Sequence, residues 1–171
     1  DLSIYQVNST RPRAWGVGGV RFAGSKAEAI AAVATDTFDP ATEVIIVGEP
    51  GQDAPPSDVP FATEIESYET DRVNVRADFS DDGFLVVSTR YDPAWRAEVD
   101  GEAADVVRAD GIFMAVPVEA GQHKVELKFE PTEYVWGRRI SVLTLIVLVS
   151  GSIGYFAYPV VRRGKRRGSA P

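Results

Sequence analysis

Apolar and polar residues alternate with period two through the middle of the chain. Val73, Val75, Ala77 and Phe79 share one face of a segment, and Val125, Leu127 and Phe129 share a face of another. That is the pattern of strands with one side against a core. Asp82-Gly83, Asp100-Gly101, Asp110-Gly111 and Ala120-Gly121 punctuate the run. Asp-Gly suits tight hairpins, because both central residues of the turn take positive φ. The spacing predicts short antiparallel strands over residues 61–137, a β-sandwich of about seven strands.

Upstream, residues 1–50 read as a small strand–helix–strand segment. Arg13–Phe22 is a strand broken by glycines, and Glu43-Val-Ile-Ile-Val-Gly48 is a buried β-branched strand. Between them, Ser25-Lys-Ala-Glu28 forms a capping box ahead of the alanine-rich helix Ala27–Ala34. Gly16, Gly18 and Gly19 lack the G-x-G-x-x-G spacing of a phosphate loop, and no helix follows at once, so a strand bend is expected. Residues 49–60, EPGQDAPPSDVP, hold four of the eleven prolines, and a Pro-rich linker is placed at 51–60.

The alternation then gives way to Ile140–Val161, 22 residues without a charge. A membrane-spanning helix needs about 20. Tyr134 and Trp136 lie near one edge and Tyr155 and Tyr158 near the other, as interfacial aromatics do. A transmembrane helix is therefore expected at 138–161, with a basic tail at 162–171. Five basic residues follow the span and two adjoin its start. That asymmetry places the C-terminus in the cytoplasm and residues 1–137 outside it. Ser150 and Gly154 form a small-xxx-small pair suited to packing on a second helix.

Charge sharpens the division. The net charge of −7 conceals a split: all 25 acidic residues and eleven of the 18 basic ones lie in residues 1–137. The remaining seven basic residues lie in 138–171, so the parts carry −14 and +7. So acidic an ectodomain excludes nucleic acid as a main partner, since phosphate backbones require a basic footprint. The absence of Cys excludes disulfides, thiolate metal sites and a cysteine nucleophile. The chain begins at Asp1, its only Met is Met114, and its start shows no signal-peptide pattern. It is expected to be the C-terminal piece of a longer protein, with any catalytic residues upstream.

Candidate chemistry is sparse. His123, the one histidine, follows a turn and is expected to cap it or line the sheet rim. Asp78, Asp81 and Asp82 crowd a turn without the alternating ligand pattern of a calcium loop, and a solvated turn is expected. Asn8-Ser9-Thr10 matches the short glycosylation acceptor motif. Tyr91, Trp95, Trp15 and Tyr68 are the candidate carbohydrate contacts, since aromatic faces pack on sugar rings. The competing role for Trp95 is a core anchor. No metal or cofactor is expected, and no pair of carboxylates can be singled out as catalytic.

An ordered series of motifs now stands out. It runs through Arg72-Val-Asn-Val-Arg76, Gly83-Phe-Leu-Val-Val-Ser88 and Tyr91-Asp-Pro-Ala-Trp95-Arg-Ala-Glu-Val-Asp-Gly101. It continues with Arg108–Val118, Ala120-Gly-Gln-His-Lys-Val125, Phe129-Glu-Pro131 and Gly137-Arg-Arg-Ile-Ser141. The series resembles the C-terminal end of the YfhO-like family of bacterial multi-spanning membrane proteins, and the likeness extends to Pro12-Arg-Ala14 and Phe38-Asp-Pro40. Asp92 and Ala94 depart from the Tyr and Gly usual in that family, and Ala109-Asp110 stands where Asn is common. The resemblance implies a GT-C-like glycosyltransferase that acts on cell-envelope polymers and uses a polyprenyl-phosphate sugar donor. Its catalytic acid is expected in an early loop upstream, so no catalytic residue is carried over. The implied partners are the lipid bilayer, upstream helices of the same protein, and an envelope glycan or polyprenyl-linked sugar. The alternative is a non-enzymatic, membrane-anchored binding module with the same β-sandwich.

Overall fold

The computed structural model describes residues 11–48, 51–59, 61–131 and 141–150. Contacts divide the chain into two units, Asp1–Glu130 and Pro131–Pro171. The first unit is mainly β and sandwich-like, with two sheets and one helix. The first sheet contains β1 (Ala14–Val17), β2 (Gly19–Ala23), β3 (Glu43–Val47), β6 (Gly83–Val87), β9 (Val107–Ala109) and β10 (Phe113–Val118), in the order β1-β6-β10-β9-β3-β2. The second orders β4 (Phe61–Tyr68), β5 (Arg72–Phe79), β11 (Gly121–Phe129), β7 (Trp95–Val99) and β8 (Glu102–Ala104) as β4-β5-β11-β7-β8. The helix α1 (Lys26–Val33) links β2 to β3, which pair in parallel; the other strand pairs are antiparallel.

The first sheet rolls up. Its two terminal strands, β1 and β2, are separated only by Gly18, so one bent strand pairs with β6 through its first half and with β3 through its second. Side-chain parity shifts at the bend: Trp15 and Val17, then Val20 and Phe22, belong to the same apolar cluster. With Val44, Ile46, Val86, Ala109 and Ala115 they fill the inside of the curl. A Cβ on Gly19 would lie 2.6 Å from the Thr42 carbonyl oxygen, so glycine lets β2 approach the chain entering β3.

Two elements cover the outside. The second sheet packs Val73, Val75, Ala77, Phe79, Val125 and Leu127 against Ala14, Leu85, Val87, Met114 and Val116. On the other flank α1 lays Ala29 on Ala23 and Ile45. The capping box forms as expected: Ser25 Oγ accepts from the Glu28 amide at 3.2 Å, and Glu28 Oε2 accepts from the Gly24 amide at 2.9 Å. Asp100 (φ 53°) and Gly101 (φ 86°) make the tight β7–β8 turn, and Asp110 (φ 50°) and Gly111 (φ 77°) the β9–β10 turn. Asp82-Gly83 shows no positive φ and is a different connection.

Several expectations change. Residues 61–131 form eight strands, β4–β11, close to the seven expected there, and β1–β3 bring the total among the described residues to eleven. The strands of the expected N-terminal segment, β1–β3, hydrogen-bond into the same sheet as β6, β9 and β10. Within the expected linker, Ala54 exchanges backbone hydrogen bonds with Val20 at 3.0 and 2.9 Å, and Asp53 Oδ1 accepts from the Phe22 amide at 3.0 Å. The segment therefore covers a free edge of β2, which would otherwise offer unpaired amides to another chain.

Residues 141–150 are helical, with Val142, Leu143, Leu145, Ile146, Val147, Leu148 and Val149 each about half or more exposed. No helix among the described residues is long and apolar enough to cross a membrane. Most of the expected span 138–161, the tail 162–171, Gly154 of the small-residue pair and Asn8-Ser9-Thr10 lie outside the described residues.

Candidate ligand-binding cleft

The β6–β7 loop carries Tyr91 and delivers Trp95 to the start of β7. It is anchored at both ends: the Tyr91 amide donates to the Ile112 carbonyl at 2.9 Å, and the Glu130 amide to that of Ala94 at 2.8 Å. In between, Asp92 Oδ1 accepts from the Ala94 amide at 2.8 Å and the Asp92 carbonyl from the Trp95 amide at 3.1 Å, a local turn that Asp side chains favour. Tyr91, Pro93, Trp95 and Arg96 thus form one wall of a cleft whose other wall is Ala103–Val106. Arg96 Nη1 donates to the carbonyls of Pro93 and Trp95 at 2.8 and 3.1 Å, holding the guanidinium on the loop. Asp105 supplies an exposed carboxylate opposite. An aromatic wall, a planar donor and an acceptor make a fitting set for a ring bearing several hydroxyls.

The four candidate aromatics are not one surface. Tyr91 and Trp95 meet in this cleft, although Trp95 is only 6 % exposed and packs on Phe129 with ring centroids 5.4 Å apart. Trp15 packs against the interior of the curled sheet, edge-on to Phe113 at 6.2 Å, and its buried Nε1–H has no hydrogen-bond acceptor among the described residues. Tyr68 ends β4; its hydroxyl pairs with Thr89 Oγ1 at 2.7 Å, and Arg13 lies 4.8 Å over its ring. Sequence reasoning missed Arg108, whose guanidinium stacks 4.6 Å above the Tyr91 ring. Nothing in the spacing of residues 91 and 108 signals that contact, because it depends on β9 lying beneath the loop.

His123 sits at the sheet rim, as its position after the turn implied. Its Nδ1 lies 2.7 Å from Asp100 Oδ2, and Asp100 Oδ1 accepts from the Lys124 amide at 2.8 Å. Hydrogen bonding to Asp100 raises the imidazole pKa above its ordinary value. The Lys124 amide, then His123, lowers that of Asp100. The pair ties the β7–β8 turn to β11 and faces a shallow cleft with Glu102 and Glu119.

The acidic turn is engaged with the chain itself. Asp78 Oδ2 accepts from Gln122 Nε2 at 2.9 Å, Asp82 Oδ1 from the Ala120 amide at 2.9 Å, and Asp81 Oδ1 from the Asp82 amide at 2.9 Å. Among the described residues no group of three or more His, Asp or Glu is placed to hold a metal ion.

Residues 62–141 match the family described as bacterial membrane protein YfhO. The chain is YfhO-like over this segment. No curated protein and no solved structure matches it. The YfhO match runs from β4 through β11, so it takes in Tyr68, Tyr91, Trp95, Arg96 and Asp105 and leaves Trp15 outside.

Proposed function

We propose that this chain is the C-terminal extracytoplasmic β-domain, with the last span, of a multi-spanning membrane protein of the glycosyltransferase-like type. The domain holds a saccharide unit of an envelope glycan in the Tyr91–Trp95 cleft, and the transfer chemistry is carried by residues upstream in the parent protein. The supporting observation is the coincidence of the YfhO match with the segment that builds this cleft. The exposed apolar helix of residues 141–150 fits a bilayer partner and neighbouring helices. A polyprenyl-linked sugar would be the donor delivered to the upstream site.

Tyr91 is the residue to remove, because it lies outside the strands and packs only at the margin of the core, whereas Trp95 is buried within it. In a bacterium encoding the parent protein, Tyr91→Ala is expected to lower the sugar content of purified envelope polymers at unchanged membrane abundance. Truncating an aromatic anchor of a binding surface costs about 1–2 kcal/mol, roughly a 5- to 30-fold loss of acceptor affinity. Unchanged sugar content at equal protein abundance contradicts the proposal.

A further inference from the structure

A second cleft lies on the other side of the Arg108–Tyr91 stack. It is lined by Lys26, Ser88, Arg90, Arg108, Ile112 and Phe113. We infer that it is a binding site for a phosphate-class anion attached to an apolar group. This goes beyond the saccharide cleft, with which it shares only the Arg108–Tyr91 stack.

The distribution of ion pairs carries the inference. Residues 1–137 hold 25 acids and eleven cations, so a carboxylate is available to nearly every cation. Arg11, Arg21, Arg72, Arg76, Lys124 and Lys128 each take one. Of the other five, Arg13 lies over the Tyr68 ring and Arg96 donates to backbone carbonyls. The remaining three, Lys26, Arg90 and Arg108, have no carboxylate partner among the described residues, and all line this cleft, in which no acid takes part. Three cations gathered without counter-charge in a domain of net −14 repel one another until an anion joins them.

The cations come from three separate elements. Lys26 opens α1, Arg90 lies in the β6–β7 loop, and Arg108 is on β9. Arg108 is pre-positioned: its face rests on Tyr91 at 4.6 Å and Nη1 reaches the Gly111 carbonyl at 3.5 Å, which leaves further N–H groups for a ligand. The acid nearest in sequence to Lys26, Glu28, is turned away onto the Gly24 amide. Ser88 contributes a hydroxyl with no side-chain hydrogen bond among the described residues. Phosphate is the anion such an array favours, since Arg forks match its oxygens and Lys adds a point charge. The remaining lining is apolar, with Ile112 46 % exposed and Phe113 beside it, so the anion arrives with a hydrocarbon or ring portion.

The test is calorimetric titration of the full chain, in phosphatidylcholine nanodiscs, with inorganic phosphate and separately with hexyl phosphate. Binding of either probe that weakens about tenfold in Lys26→Ala and again in Arg90→Ala, as losing one charged hydrogen bond each implies, supports the site. Lys124→Ala removes an equal charge from a distant strand and is expected to leave affinity unchanged. Tighter binding of hexyl phosphate identifies a lipid-linked phosphate as the source, and equal binding a free phosphate group. Failure of both probes to bind, or an equal loss in Lys124→Ala, overturns the inference.

Discussion

Asp110 is 7 % exposed, and burial pushes its carboxyl pKa from 3.8 up to about 6, with Glu43 adding to the rise. The side chain cannot leave, because it is part of a clamp. The Ile45 amide donates to Asp110 Oδ1 at 2.9 Å and the Asp110 amide donates to the Ile45 carbonyl at 2.8 Å, fastening the β9–β10 turn to β3. Arg21, the cation beside Glu43, is already engaged by that carboxylate at 2.7 Å. A raised folded-state pKa means the folded protein holds this proton more tightly than the unfolded chain. The associated stability is complete below the unfolded value of 3.8 and is lost as pH rises through about 6. The rise from 3.8 to about 6 corresponds to about 3 kcal/mol at most. Asp110→Asn keeps an oxygen to accept from Ile45, tolerates the left-handed φ of 50°, and never ionises. Urea unfolding of the full chain in zwitterionic detergent, followed by tryptophan fluorescence between pH 4 and 8, measures the difference. The variant is expected to match the parent near pH 4 and to exceed it by up to about 3 kcal/mol above pH 7. A difference that stays flat with pH, or a parent that gains on the variant as pH rises, refutes the reasoning.

Other consequences are checked more briefly. In an NMR titration the His123 imidazole is expected to titrate above 6.5, and Asp100→Asn to bring the midpoint down; an unmoved midpoint denies the pair its role. Gly111→Ala places a residue of φ 77° in the left-handed region and a Cβ 2.6 Å from Ile30 Cγ1. It should cost about 1–2 kcal/mol from the backbone alone. Gly48→Ala, with nothing among the described residues within 4 Å of its Cβ, is expected to stay within about 0.5 kcal/mol, so equal losses would count against the packing described. Because the chain has no Cys, single cysteines report topology. A membrane-impermeant maleimide applied to intact cells is expected to label Ser80→Cys and spare Ser169→Cys, and the reverse pattern inverts the proposed orientation.

What could be read in advance was local. Val73, Val75, Ala77 and Phe79 lie at 0–2 % exposure because period-two spacing needs no knowledge of the partner strand. The capping box and the Asp100-Gly101 turn are likewise settled within a few residues. The curl of the first sheet was not legible, because it requires residues 14–23 to meet both 43–47 and 83–87, and their apolar side chains suit many registers. Pro55 and Pro56 marked a break in regular structure without revealing that Ala54, just before them, docks on Val20. Tyr91 and Trp95 came together because only three residues separate them, at the end of one loop and the start of β7, whereas Trp15 was drawn inward by the side-chain parity of β1. Lys26, Arg90 and Arg108 gave no signal at all, since each alone reads as an ordinary surface cation.

The central claim is that the Tyr91–Trp95 cleft takes a saccharide. The most direct measurement is a glycan array probed with the full chain in nanodiscs, beside Tyr91→Ala of matched thermal stability. Binding to a defined set of bacterial envelope glycans that is lost in Tyr91→Ala is the predicted result. A chain that binds no glycan, or binds equally well without the Tyr91 ring, contradicts the account.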